Sequence, residues 1–269
     1  MTMRLVAIDL DGTLLDPDHA LRATTIRAVT DAVDAGLDVV IASSRGPASI
    51  QPIMGRLGLT GEFIAAQGAI TGRFAPDGTL TVIDETPIPL PLAQKVVTAA
   101  LRLAASVSWI AGMEWSVPWM DAQVDEQTEV LGRQPVIRDL RTATQPPHKL
   151  LAIVHKSRVD MVDPLLRMLP PGVTATLSHP NFVEITAEGV DKGAALERLC
   201  HRHGIAAGEV AAIGDGHNDA GMLRFAGTAV AMGNAVAELR AEASLITGSN
   251  AEDGVAAALR TLVAARSRS

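Results

Sequence analysis

The sequence predicts an α/β protein with a Rossmann-like, doubly wound parallel sheet as its core and an inserted α+β cap domain. Short apolar runs alternate with helical patterns near both ends of the chain, as in parallel sheets that are buried on both faces. A proline-rich stretch at 84–92 interrupts this alternation, which returns after Gly189. We therefore predict a core made of residues 1–84 and 188–269 and a cap made of residues 85–187.

The first core segment has a strand-helix-strand-helix-strand pattern. Its first helix is expected to end before Gly36, which suits a helix C-terminus, and its second has Pro47 in the first turn. The turn sequence "APDG" at 75–78 predicts a hairpin. The predicted elements are strands at 4–10 and 37–44, a strand and turn at 62–70, helices at 21–35 and 47–57, and hairpin strands at 69–74 and 79–84.

The inserted segment mixes helices with strands, and the last two strands read as an antiparallel pair turned by "PN". We predict cap helices at 91–104, 121–131 and 157–169, and cap strands at 106–112, 149–156, 173–179 and 182–187. In the second core segment we predict helices at 191–203, 217–225, 235–242 and 252–266, and strands at 209–216, 228–232 and 244–247.

Composition narrows the class of function. The chain has 269 residues and a net charge of −7, without a Lys/Arg run of the kind that binds nucleic acid. It has no apolar stretch of the ~20 residues that a membrane helix needs, and no signal-peptide pattern. Its one cysteine, Cys200, excludes an internal disulfide and a thiolate metal cluster. We predict a cytoplasmic enzyme, monomeric or a small homo-oligomer, whose partner is a small molecule.

Reactive side chains cluster where predicted strands end. In an open parallel sheet, ligands bind beyond the carboxyl ends of the strands. If the strands are neighbours, these side chains converge on one crevice. They are Asp9 and Asp11, Ser43 and Ser44, Gln67 and Asp215, with Lys192 at the start of a helix.

Asp9 and Asp11 lie so close in sequence that their carboxylates repel each other, and a divalent cation would offset this cost. Mg²⁺ prefers a site rich in oxygen ligands, which Asp9, Asp215 and a backbone carbonyl of the turn can supply. Gly12 allows a sharp turn that points backbone N–H groups at a phosphate. The sequence therefore predicts a magnesium and phosphate site.

The same residues suit phosphoryl transfer. The Ser43 hydroxyl and the Lys192 ammonium would join the metal and the backbone amides in stabilising a transferring phosphoryl group. Asp9 can act as a nucleophile that forms an aspartyl-phosphate. Asp11 can protonate the leaving oxygen and later deprotonate a water molecule.

Four segments, in order, resemble the motifs of the haloacid dehalogenase superfamily: "DLDGT" (9–13), "IASSR" (41–45), "GVDKG" (189–193) and "GDGHND" (214–219). The insertion resembles the large α/β cap of that superfamily. The stretches "AMGNA" (231–235) and "TGSNAEDGVAAAL" (247–259) resemble the tail of its Cof-type branch, subfamily IIB.

The resemblance implies Mg²⁺-dependent hydrolysis of phosphate monoesters of small metabolites, with sugar phosphates as the expected class. It implies that Asp9 is nucleophile and metal ligand, that Asp11 is acid/base and gives its carbonyl to the metal, and that Asp215 is a metal ligand. The implied phosphate or substrate contacts are Leu10, Ser43, Ser44, Arg45, Lys192 and Asn218. The implied supporting residues are Gly12, Thr13, Gln67 and Asp219.

Two positions depart from the branch and leave substrate choice open. The branch usually has Thr-Gly-Arg where this chain has Ser43-Ser44-Arg45, and often Asn-Gly where it has Gln67-Gly68. Arg45 is expected either to bind a second anionic group or to pair with a carboxylate. The tryptophans Trp109, Trp115 and Trp119 form either cap core or a specificity surface.

The same residues are weaker matches to other kinds of site. A calcium loop of the EF-hand type needs glycine at its sixth position, whereas Gly12 would be fourth, and "GDGHND" lacks the third glycine of a dinucleotide fingerprint. A phosphohexomutase would share the nucleophile, since the outcome depends on how well the cap excludes water. A non-catalytic metal- or phosphate-binding module is the remaining alternative. The segments 84–91 and 186–190 are the candidate hinges for cap closure.

Overall fold

The structure is a computed structural model that describes residues 2–266. Its strands are β1 (Leu5–Ile8), β2 (Asp38–Ile41), β3 (Phe63–Ala65), β4 (Ile70–Phe74), β5 (Leu80–Glu85), β6 (Ser106–Ala111), β7 (Glu114–Val117), β8 (Val136–Ile137), β9 (Lys149–Ile153), β10 (Val173–His179), β11 (Phe182–Ala187), β12 (Val210–Gly214), β13 (Thr228–Ala231) and β14 (Leu245–Ile246). Its α-helices are α1 (Ala23–Asp34), α2 (Pro47–Leu57), α3 (Leu90–Arg102), α4 (Ala122–Leu131), α5 (Val162–Met168), α6 (Lys192–Arg202), α7 (Ala220–Phe225), α8 (Ala237–Glu242) and α9 (Gly254–Arg266).

The core is a five-stranded parallel sheet in the order β14-β13-β12-β1-β2. The internal strand β1 is apolar at every position and completely buried, since β12 and β2 flank it and side chains pack on both of its faces. Strands from both ends of the sequence therefore meet in one sheet, as predicted. This pairing brings the carboxyl ends of β1, β2 and β12 to the same edge.

The segment 62–70 is a strand followed by a turn, as predicted. β3 ends at Ala65, because Ala66 and Gln67 adopt positive φ angles of 50° and 66° in a tight turn. β3 forms an antiparallel sheet with β4 and β5, which confirms the predicted hairpin. A single parallel bridge between Ala42 and Ile64 connects this small sheet to the parallel one.

The residues between β5 and α6 build a six-stranded sheet in the order β10-β11-β9-β6-β7-β8. Its pairs are antiparallel, including the predicted β10–β11 pair, except that β7 and the short strand β8 run parallel. Sequence patterns did not indicate β8, which has only two residues, both exposed. One face of the sheet packs against α3 and α5 through an apolar cluster that includes Trp109 and Leu150. The opposite face carries Ile110 and Trp115.

Two predicted helices are shorter than expected. The segment predicted at 157–169 begins as a 3-10 turn, Lys156–Met161, and α5 starts only at Val162. Pro164 lies in the first turn of α5, where a helix tolerates the missing N–H group best, so it favours this start. The segment predicted at 217–225 likewise begins with a 3-10 turn, His217–Asp219.

We propose the division into a core of 1–84 and 188–269 and a cap of 85–187. It is supported by sheet membership, since β6 to β11 all lie in the six-stranded sheet. Met1 and residues 267–269, which this division includes, lie outside the described residues. Within residues 2–266, every helix is too short or too polar to cross a lipid bilayer.

Candidate active site

The predicted crevice forms at the carboxyl edge of the parallel sheet. Asp9 follows β1 directly, and its backbone N–H donates to the carbonyl of Ile213 at 3.0 Å, which extends the pairing with β12 by one residue. Asp215 follows β12, and Ser43 lies just beyond β2. Lys192 is the first residue of α6, whose N-terminus is capped by the Asp191 carboxylate. The fold therefore delivers all four side chains to one place.

Lys192 is the centre of this group. Its ammonium is buried and donates to Asp9 Oδ1 at 2.5 Å and to Asp219 Oδ1 at 2.6 Å. Burial alone would lower the pKa of Lys192, but the neighbouring carboxylates of Asp219 and Asp9 raise it above its ordinary value. Lys192 is therefore a permanent cation that holds the nucleophile candidate in place.

Asp219 is occupied at both oxygens. Its Oδ1 accepts from Lys192, and its Oδ2 accepts the backbone N–H groups of Asp215 and Gly216, each at 2.9 Å. These bonds fix the loop that carries Asp215. Asp219 thus bonds Lys192 and the Asp215 loop with both of its oxygens.

Asp9, Asp215 and Asp219 present carboxylate oxygens that lie within 4.8 Å of one another. Burial and the charges of Asp219 and Asp215 raise the pKa of Asp9 well above its ordinary value, although Lys192 acts against this. Burial, followed by the charge of Asp219, raises the pKa of Asp215 to about 6. The Asp9 and Asp215 carboxyl groups lose their protons less readily than usual, and a bound cation would stabilise their ionised form. The ligand atoms that they supply are oxygens, which a hard divalent cation such as Mg²⁺ prefers.

The Asp9–Thr13 turn is tied to Asp215. Gly12 has φ +82°, and a Cβ atom there would lie 2.3 Å from Asp215 Oδ2, so only glycine fits. The Thr13 hydroxyl donates to Asp215 Oδ1 at 2.8 Å. Asn234 Nδ2 donates to the Gly12 carbonyl at 2.8 Å and was missed as a site residue, although it belongs to the "AMGNA" stretch. These contacts fix the distance between the two candidate metal ligands.

Asp11 is held by Arg45 and His19. Arg45 donates from Nε to Asp11 Oδ2 at 2.8 Å and from Nη2 to Oδ1 at 2.6 Å, and His19 Nδ1 lies 3.1 Å from Oδ1. Burial raises the pKa of Asp11, but the bonds from His19 and Arg45 outweigh it and hold that pKa well below its usual range. Arg45 therefore pairs with a carboxylate, one of its two expected roles. His19 was missed, since no motif marks it.

The remaining predicted contacts surround the same crevice. Ser43 is buried, and its Oγ accepts the backbone N–H of Arg45 at 3.1 Å. Asn218 Nδ2 donates to Gln67 Oε1 at 3.3 Å. This bond connects the turn after β3 with the "GDGHND" loop. The Leu10 side chain is buried in the core, so only its backbone can contact a phosphate.

A cavity of about 440 Å³ lies between the core and the cap. Its core-side wall includes Asp11, Ser44 and Arg45. Its cap-side wall includes the apolar side chains of Ile110, Trp115, Val130, Leu131, Leu151 and Phe182 and the charged side chains of Lys149 and Glu184. A substrate in this cavity would contact both domains.

The tryptophans divide between the two roles considered. Trp109 and Trp115 are buried in the cap, and Trp115 also lines the cavity, whereas Trp119 is 48% exposed and lies outside that wall.

Cys200 is buried in α6, where burial raises the pKa of its thiol to about 11 and leaves it unreactive.

Comparison with known proteins places this geometry in context. Residues 6–259 match the family described as haloacid dehalogenase-like hydrolase. The chain is 30% identical to an HMP-PP phosphatase of Serratia proteamaculans, over 88% of this chain and 86% of that protein. It is 29% identical to a 5-amino-6-(5-phospho-D-ribitylamino)uracil phosphatase of Bacillus subtilis, over 96% and 95%. A haloacid dehalogenase-like hydrolase from Bacteroides thetaiotaomicron has a similar structure, with TM-score 0.85 and 27% identity, over 97% and 99% of the two chains.

Proposed function

Because the chain belongs to the haloacid dehalogenase-like hydrolase family, we propose that it is a magnesium-dependent phosphatase that hydrolyses phosphate monoesters of small metabolites through an aspartyl-phosphate on Asp9. The observation that carries this proposal is the buried Lys192 ammonium, which bonds Asp9 and Asp219 while Asp215 lies alongside. This arrangement orients one carboxylate for attack and leaves two acids near each other to bind a cation.

The residues fit Mg²⁺. Asp9, Asp215 and the backbone carbonyl of Asp11 would hold it, since both oxygens of Asp219 are already bonded. When bound, the cation would neutralise charge on the nucleophile and on the phosphate oxygens.

Asp9 is the proposed nucleophile. Lys192 bonds its Oδ1, so Oδ2 is the oxygen left to attack phosphorus as the bond to the leaving oxygen breaks. Ser43, Asn218, Lys192 and the backbone around Leu10 and Gly12 would bind the phosphate oxygens and stabilise the charge that develops there.

Asp11 is the proposed acid and base. It would donate a proton to the leaving oxygen and then take one from the water that attacks the aspartyl-phosphate. In this structure Arg45 and His19 hold it as a carboxylate, which is the form that the second step requires. The first step requires a protonated Asp11, so we propose that Arg45 releases Asp11 when substrate enters the cavity.

We propose that the substrates are small phosphorylated metabolites, with sugar phosphates among them. The cytoplasmic location of the protein stays a prediction. The relatives named for HMP-PP and for a phosphoribitylamino-uracil support the broader class. Ser44 and Gln67, where this chain departs from the branch, both lie at the crevice. A phosphohexomutase would use the same nucleophile but return the phosphoryl group to a sugar.

The test is phosphate release from a panel of phosphorylated metabolites, with and without Mg²⁺. We expect stoichiometric phosphate release that depends on Mg²⁺ and is removed by chelation. Formation of a sugar phosphate isomer without phosphate release would establish the mutase instead. If the protein binds a panel member tightly but turns over none of them, the result would favour the non-catalytic module.

Mg²⁺ binding is also expected to appear in thermal stability. At pH 7.5 and millimolar Mg²⁺, we expect the wild type to gain about 1–2 kcal/mol, or a few degrees in Tm. Asp215→Asn should lose this gain, because the variant lacks one cation ligand. The exposed acid Asp31, changed to Asn, is the matched control and should keep it. An Asp215→Asn variant with an undiminished shift would contradict the assignment.

In the metal-free protein, Asp215 makes the free energy of unfolding decrease as the pH rises. The pKa of Asp215 rises from its ordinary 3.8 to about 6 on folding, so the folded state binds this proton more tightly than the unfolded state. The favourable contribution is complete below pH ~4 and is lost as the pH rises through 6, at a cost of roughly 2–3 kcal/mol. Without metal, Asp215→Asn should therefore be more stable than the wild type at pH 7.5 and should approach it near pH 4.

A further inference from the structure

One face of the cap sheet points into the cavity. Cross-strand pairing places Glu184 opposite Leu151 and Leu151 opposite Ser108, and it places Lys149 opposite Ile110. Residues paired in this way project from the same face of a sheet, and all five line the cavity. This face is therefore a continuous wall in which two charged side chains stand among apolar ones.

The two charged residues form a buried ion pair. Lys149 Nζ lies 2.9 Å from Glu184 Oε2, and the two side chains are only 7% and 6% exposed. Lys149 also donates to the backbone carbonyl of Ser44, in the core, at 2.5 Å. Burying such a pair costs several kcal/mol in desolvation, which apolar residues of similar size would avoid, so its presence in this wall needs a reason.

The pair is not fully hydrogen bonded within the protein. The ammonium uses two of its three N–H groups, on Ser44 and Glu184, and Glu184 Oε1 has no hydrogen-bond partner among residues 2–266. The residues paired directly with Glu184 are Leu151, which is apolar, and Thr176, whose hydroxyl makes no hydrogen bond to Oε1. One donor and one acceptor are thus left side by side on the wall of the cavity.

We propose that Lys149 and Glu184 determine substrate specificity, by binding a leaving group that carries a hydrogen-bond acceptor next to a donor. This inference rests on the proposed phosphatase function. A vicinal diol of a sugar and the edge of a nitrogen heterocycle both present that chemistry. Because Lys149 also bonds Ser44, beside Ser43 and Arg45, recognition of the leaving group is coupled to the loop that binds phosphate.

The test compares three substrates in each enzyme preparation. Phenyl phosphate lacks the paired polar groups, whereas D-glucose 6-phosphate carries diols and pyridoxal 5′-phosphate carries a heterocycle edge. In the wild type, kcat/KM for at least one polar substrate should exceed that for phenyl phosphate by about 10²-fold, since a site built for hydrogen bonds rejects analogues that lack them. The polar substrate that the wild type prefers shows whether the site binds a sugar diol or the edge of a heterocycle.

The variants Lys149→Met, Glu184→Gln and their double variant should reduce this ratio to within about 3-fold of unity. The double variant leaves no unpaired buried charge, so it separates specificity from misfolding, and the ratio does not depend on the active fraction. Arg141→Met, which breaks an exposed ion pair with Asp139 elsewhere on the cap, is the matched control and should keep the wild-type ratio.

A wild type that hydrolyses all three substrates equally, or a double variant that keeps the wild-type ratio, would overturn the inference while leaving the phosphatase intact. Failure to hydrolyse any of the three substrates, or any member of the wider panel, would instead contradict the proposed function and this inference with it.

Discussion

Replacing Asp9 by Asn is expected to lower kcat for phosphate release by at least about 10⁴-fold, the scale seen when a nucleophile is removed. An amide is a far weaker nucleophile than a carboxylate. Its one remaining oxygen would also face the Lys192 ammonium, which now bonds Asp9 Oδ1 at 2.5 Å. The variant should stay folded, because Asp9 is a buried carboxylate whose ionisation the site already opposes.

Two measurements check this expectation. Steady-state phosphate release compares Asp9→Asn with Asp18→Asn, an exposed acid in the same segment that should keep wild-type activity. Acid quenching during turnover, followed by mass spectrometry, should find one phosphoryl group on the peptide that contains Asp9 in the wild type alone. Full activity in Asp9→Asn, or a phosphoryl group on another residue, would exclude Asp9 as nucleophile.

The site residues predicted from sequence are those that the fold must bring together. Asp9 and Lys192 are 183 positions apart, yet their side chains form a direct hydrogen bond. The prediction was possible because apolar runs identified the parallel strands, and the carboxyl ends of such strands share one edge. Residues that directly follow those strands, such as Asp9 and Asp215, meet once the strands are neighbours, as β1 and β12 are.

Contacts that depend on the positions of side chains could not be predicted from the sequence. His19 reaches Asp11 from a loop without a motif, and the choice between two roles for Arg45 required its position relative to Asp11. The turn after β3 was predicted, but the positive φ angles of Ala66 and Gln67 within it were not, because no local residue preference indicates them. Glu184 did leave a signal, a lone charge in the apolar strand "FVEITA", but its partner Lys149 could be identified only from the sheet register.

Replacing Lys192 by Met is expected to lower the free energy of unfolding at pH 8 by about 3–5 kcal/mol, because removing one partner of a buried ion pair leaves an uncompensated charge. The ammonium is completely buried between the carboxylates of Asp9 and Asp219. Thermal or urea unfolding should show a decrease in Tm of roughly 10 °C. Lys156→Met, an exposed lysine paired with Glu126, is the matched control and should change stability by no more than about 0.5 kcal/mol.

The deficit should shrink as the pH falls from 8 to 5. Folding raises the pKa of Lys192, so its own contribution persists below its ordinary pKa of 10.5 and is lost only at higher pH. The deficit in this range therefore comes from the carboxylates. Folding raises the pKa of Asp9, and loss of the ammonium raises it further, so that a proton can replace the missing cation as the pH falls. A deficit that stays constant from pH 8 to 5 would contradict this account.

The double variant Lys192→Met/Asp219→Asn separates the two roles of the lysine. It removes one of the two carboxylates that would otherwise face each other, so we expect it to recover at least half of the lost stability at pH 8. It should nevertheless remain inactive, because the ammonium that holds Asp9 Oδ1 and would contact the phosphate is then missing. Recovery of activity along with stability would mean that Lys192 only neutralises the buried acids. Recovery of stability alone is the outcome expected if the ammonium itself orients the nucleophile.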